Sequence, residues 1–68
     1  MEPSEIIGAN AGKIWLCLKG SGVISLAEIK SRAGLSTEDA AAAIGWLGRE
    51  NKIYVQDSGK TRKYGLRE

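Results

Sequence analysis

Leu35–Ile53, LSTEDAAAAIGWLGRENKI, decides the fold. Its spacing predicts a capped helix that runs straight into a strand. Ser36 is an N-cap, and Asp39 follows three residues later as an approximate capping box. Glu38 and Asp39 in the first turn and Arg49 in the last suit the helix dipole. Ala40, Ala43, Ile44 and Leu47 recur at i, i+3, i+4 and i+7, so they form one core-facing stripe. Glu38, Ala42, Gly45 and Arg49 point the opposite way.

Upstream, Ser4 with Glu5 behind it is expected to cap a first helix running to about Lys19, after a short frayed Met1–Pro3. The core stripe of that helix is Ile7, Ala11, Ile14 and Leu18, with Trp15 covering its edge. Gly20-Ser21-Gly22 ends the helix, and Val23-Ile24 is a short extended piece. Ser25-Leu26-Ala27-Glu28 is a strict capping box, so a second helix starts at Leu26 and buries Leu26, Ile29 and Ala33. Gly34 is its left-handed C-cap. Only Leu35 then precedes the Ser36 cap, which makes a helix-turn-helix arrangement. Downstream, Lys52–Gln56 alternates as a half-buried strand, and Asp57-Ser58-Gly59-Lys60 is a turn. Thr61–Arg67 returns with Tyr64 and Leu66 inward, completing a hairpin.

Sixty-eight residues predict one domain with a small core. Cys17 is the single cysteine, so an intramolecular disulfide is excluded and a reducing setting is expected. The absence of histidine removes Ser-His-Asp and Cys-His catalysis and histidine-ligated metal. No apolar run approaches the ~20 residues needed to span a bilayer, and the start lacks a signal-peptide pattern. A cytoplasmic protein with no membrane association, no cofactor, no metal and no enzymatic activity is therefore expected. Charge is uneven. Residues 1–48 carry four basic against five acidic side chains, net −1, and residues 49–68 carry six against three, net +3.

The order helix, short strand, helix, helix, hairpin resembles the winged helix family over about residues 5–67. Gly12-Lys13-Ile14-Trp15, together with the block Ala43-Ile44-Gly45-Trp46-Leu47 through Ile53, resembles more narrowly a small prokaryotic winged helix-turn-helix family of short proteins without an established function. The resemblance implies an α+β fold: a three-helix core, a very short first strand, and a C-terminal two-stranded β-hairpin wing. Helix 37–50 then takes the place of a DNA-recognition helix. Nucleic-acid binding follows only by analogy of fold.

That helix departs from what a base-reading helix offers. Its amino-terminal half presents Thr37, Glu38, Asp39, Ala41 and Ala42, and two acids at the mouth of a phosphate-lined groove are repelled. Arg49 is its only base. Lys60, Arg62 and Lys63 at the hairpin tip, with Arg67 further along, are better placed to touch phosphate, giving weak and largely non-specific DNA binding. The plain alternative is a charged edge that prevents edge-to-edge association. A different reading rests on the small, apolar outward faces: Ala9, Gly12 and Leu16 on the first helix, and Ala42 and Gly45 on the third. Glycines 8, 12, 45 and 48 weaken their helices, which suggests close backbone approach. These faces predict a homodimer, or docking of another protein. Trp46 either anchors that partner or covers the base of the wing. Cys17 reads as a small buried hydrophobe, and Tyr54 and Tyr64 read as wing packing.

Overall fold

The structure, a computed structural model, describes residues 2–67. Its elements are α1 (Pro3–Leu18), β1 (Ile24–Ser25), α2 (Leu26–Ala33), α3 (Thr37–Arg49), β2 (Ile53–Asp57) and β3 (Arg62–Leu66). This is the α+β architecture that the resemblance implies. The three strands form one antiparallel sheet in the order β1-β3-β2. β3 is therefore central, pairing Ile24 with Tyr64 on one side and Val55 with Tyr64 on the other.

Capping chemistry places α2 and α3 where the sequence puts them. The Ser36 side chain accepts a hydrogen bond from Asp39 N at 3.1 Å, and Ser25 does the same for Glu28 N at 3.3 Å. The Glu28 carboxylate turns instead to Arg32, one helical turn on, at 3.3 Å. Gly34 closes α2 with φ +67°, a conformation that costs a glycine nothing. α3 ends in a Schellman turn. Lys52 N bonds to Leu47 O and Asn51 N to Gly48 O, both at 3.0 Å, with Asn51 at φ 61°. Asparagine is the non-glycine residue best suited to that region, and the turn aims the chain directly into β2.

α1 starts earlier than expected. Pro3 is its first residue and Glu2 its N-cap, with no side-chain cap bond, so Ser4 lies inside the helix rather than capping it. A proline at the first position has a suitable φ and lacks only an N–H that would be orphaned anyway. Met1 lies outside the described residues. Ladder partners set the limits of the strands: β1 is Ile24–Ser25 rather than 23–24, β2 is Ile53–Asp57 rather than 52–56, and β3 is one residue shorter at each end than the expected 61–67.

The core is Ala11, Ile14 and Leu18 of α1, Ile24, Ile29, Ala40, Ala43, Leu47 and Ile53. Leu26, Ala33, Ile44, Tyr64 and Leu66 are half-buried against it. Ile7 does not join this core, and the burial of α1 begins instead at Asn10 and Ala11. None of residues 3–9 is buried, and the buried positions of α1 run from Asn10 to Leu18, so its first two turns lie outside the packed part of the helix.

The expected close approach at the helical glycines is absent within the chain. A Cβ placed on Gly8, Gly12, Gly45 or Gly48 would meet nothing within 4 Å. Gly65 is the opposite case. It is buried, and a Cβ there would come within 2.8 Å of the Tyr54 ring.

Candidate functional site

The hairpin carries the basic residues on a register that sorts them by face. Side chains alternate along a strand, so each cross-strand pair shares one side of the sheet. Ile53 with Leu66, Val55 with Tyr64 and Asp57 with Arg62 lie on the core side. Tyr54 with Gly65 and Gln56 with Lys63 lie on the outer side, where Ser25 also faces Lys63. Arg62 and Lys63, neighbours in sequence, thus point to opposite faces. Arg62 is drawn to Asp57 on its own side, 3.4 Å away. This pair is exposed, so it is worth little in stability, but it removes part of the guanidinium's charge from any ligand.

Lys60 sits in the connecting turn. That turn is held by Ser58 N to Thr61 O at 3.0 Å and Gly59 N to the Asp57 carboxylate at 3.2 Å, with Gly59 at φ +87°. Lys60, Lys63 and Arg67 are exposed and have no ion-pair partner among the described residues. The sequence groups Lys60, Arg62, Lys63 and Arg67 as one patch. The structure leaves three of them available and holds the fourth on the other face.

α3 presents Thr37, Glu38, Asp39, Ala41, Ala42, Gly45 and Arg49 to solvent. Its amino-terminal end is acidic, and Arg49 is a dozen residues away at the far end. The helix in the recognition position therefore offers a groove little except repulsion at its start and methyl groups along its length.

A second surface lies between α1 and α3. A groove of about 230 Å³ is floored by Gly8, Ala11 and Gly12, walled by Trp15, Trp46 and Leu47, and closed at its rim by Glu50 and Lys52. Those two rim charges pair at 3.7 Å. Trp46, expected either to anchor a partner or to cover the wing base, is half-buried against the core and also borders a second hollow with Arg49 and Glu50. Trp15 remains 36% exposed, with the Lys19 ammonium 5.2 Å from its ring centre. Leu16 is 65% exposed, and Ala9 and Gly12 lie beside it on the open side of α1. Cys17 is a free, half-buried thiol.

Tyr54, read as wing packing, does pack its ring over Gly65 of the facing strand, but on the outer face and 40% exposed, which sequence reasoning missed. The signal was present in the alternation of Ile53, Tyr54 and Val55, but its partner depends on hairpin register. No helix among the described residues is long and apolar enough to cross a membrane.

Comparison with known proteins bears on this geometry. A family model described as a winged helix-turn-helix domain (DUF2582) matches residues 1–64. The uncharacterized protein MJ1608 of Methanocaldococcus jannaschii is 42% identical over 57 residues, covering 79% of this chain and 80% of its own length. The solution structure of protein BT2368 from Bacteroides thetaiotaomicron superposes with a TM-score of 0.88 at 37% identity, across 96% of this chain and 79% of that one.

Proposed function

Because the chain belongs to this winged helix-turn-helix family, which is described by its fold and not by an activity, we propose that it is a non-catalytic nucleic-acid-associated module whose hairpin wing contacts phosphate. The observation that carries this reading is the exposure of Lys60, Lys63 and Arg67 without ion pairs among the described residues. The acidic start of α3 argues that Thr37 and its neighbours add little base reading, so binding is weak and largely sequence-independent. Three phosphate contacts correspond to a log–log salt slope of about −3, and non-specific dissociation constants are roughly 10⁻⁴–10⁻⁶ M.

The test is a fluorescence titration of random duplex DNA at low and moderate salt. Lys60→Glu with Lys63→Glu should abolish binding on every sequence alike. Arg62→Glu should do less, since Asp57 already engages that guanidinium. Glu38→Lys should strengthen binding. No binding at low salt rejects this reading. So does tight binding to one sequence that is lost on changing Thr37.

A second reading is self-association, or docking of another protein, through the helical faces, favoured by the exposure of Leu16 beside Ala9 and Gly12. Ala42 and Gly45 give α3 a comparable small-residue face. Two-fold pairing is the commonest arrangement for such a contact. Sedimentation at millimolar concentration should give twice the chain mass, and Leu16→Glu should restore the single mass. A single mass for the unaltered chain rejects self-association.

A further inference from the structure

The outer face of the sheet combines three features, of which the wing reading uses only the cations. First, Tyr54 is held as a platform. Its Cε1, Cζ and hydroxyl oxygen all lie 2.8–2.9 Å from the position a Gly65 Cβ would take. The outer half of the ring therefore covers the bare backbone of β3, and the residue is still 40% exposed. Second, the cations flank its Gly65 partner. Lys63 on β3 and Arg67, one residue past the end of β3, lie two positions either side of Gly65, about 13 Å apart along an extended chain. Arg67 N bonds to Lys52 O at 2.8 Å, which carries the β2–β3 register one pair further. Third, no carboxylate of the three strands shares this face. It is made of Ser25, Tyr54, Gln56, Lys63 and Gly65, with Lys52 opposite Arg67 at its end, where Lys52 pairs with Glu50 at 3.7 Å; Asp57 faces the other way with Arg62.

We propose that this face binds single-stranded nucleic acid, with one base stacked on Tyr54 and its flanking phosphates met by Lys63 and Arg67. The proposal rests on the nucleic-acid reading above for the class of polymer and shares Lys63 and Arg67 with it; it differs in the use of the Tyr54 ring and in strandedness. An aromatic face between cations is sequence-tolerant, because every base presents a π-surface. Duplex DNA cannot use it, since its bases are already stacked on one another. The role of the glycine follows as well. Any side chain at position 65 would lift the ring off the sheet and tilt the platform. A hollow of about 200 Å³ beside the ring is lined by Tyr54, Leu18, Lys19, Gly20, Gly22 and Leu66.

The experiment is fluorescence anisotropy of a labelled oligothymidylate of about ten nucleotides, within the site sizes of small single-strand binders, alongside a random duplex. Tyr54→Leu keeps an apolar cover over Gly65 without a π-face, and Tyr54→Phe keeps the π-face; melting curves confirm that both fold. Tyr54→Leu should weaken single-strand binding about 5- to 150-fold, the loss expected for one stacked base, while Tyr54→Phe should stay within about twofold. Duplex binding should be unaffected by either. Equal single-strand affinity for wild type and Tyr54→Leu overturns the proposal. Duplex binding without single-strand binding overturns it and leaves the wing reading standing. Tyr54-dependent single-strand binding without duplex binding supports it and removes the wing reading. Binding of neither overturns both.

Discussion

Replacing Gly12 by alanine is expected to stabilise the chain by about 1 kcal/mol. Gly12 lies in the interior of the sixteen-residue α1, where glycine is roughly 0.8–1.0 kcal/mol less favourable than alanine. The deficit comes from the backbone freedom that glycine loses on becoming helical. A new methyl there meets nothing within 4 Å, so no clash offsets the gain. The position is also exposed, so little is added by burial. In a domain of this size about 1 kcal/mol raises the melting midpoint by roughly 4–8 °C. Gly45 in α3 has the same open surroundings, and since it sits on another helix the two gains should add to within about 0.5 kcal/mol. The assay is thermal melting followed by circular dichroism at low micromolar concentration, repeated near millimolar. A lower midpoint for Gly12→Ala in the dilute sample would refute the reasoning, because something would have to occupy the space around α1. A gain in the dilute sample that shrinks in the concentrated one, together with loss of dimer mass, would locate a second copy on that helix face.

Leu47→Ala removes a side chain only 3% exposed at the centre of the α3 stripe, and should cost about 2–5 kcal/mol, a large share of the stability of so small a domain. An unchanged denaturant midpoint would mean that the α3 stripe is rotated from its described position. Ser36→Ala deletes the 3.1 Å bond to Asp39 N and should cost about 1 kcal/mol by chemical denaturation; no change would show the cap replaced by water. Gly65→Ala should cost about 1 kcal/mol, at the low end for overpacking because the far end of Tyr54 can swing aside. In a Tyr54→Ala background that cost should vanish. A double-mutant cycle with coupling below about 0.5 kcal/mol would show that the ring does not rest on Gly65.

The parts of this fold that were legible in the sequence are those set by neighbours along the chain. Ser25, Ser36 and Gly34 act through bonds and dihedrals within four residues, so they place α2 and α3 directly. The helical stripes are equally local, and Ala40, Ala43 and Leu47 are buried as their spacing requires. Ile7 fails because burial also needs a facing element, and the buried part of α1 begins only at Asn10. The helical glycines fail for a related reason: the weakness of a glycine is written in the sequence, but the space around it is not. In the candidate site, proximity in sequence misleads where alternation governs. Arg62 and Lys63 look like one cluster, yet a strand must send them to opposite faces. The Tyr54–Gly65 contact depends on hairpin register, which the length of the turn sets and no local signal announces.

The two-residue strand β1 bears on how the chain folds. The β2–β3 hairpin closes a loop only from 57 to 62, whereas β1 joins residue 24 to residue 64. The logarithmic part of the loop-closure entropy is about 1.4 kcal/mol for the first and about 3 kcal/mol for the second. Closing the hairpin is thus the less costly step, and β1 adds only two residue pairs to the sheet, Ile24 with Tyr64 and Ser25 with Lys63. Ser25 is both a ladder residue opposite Lys63 and the N-cap of α2, so a change at this one position reaches the sheet and the first turn of α2 together.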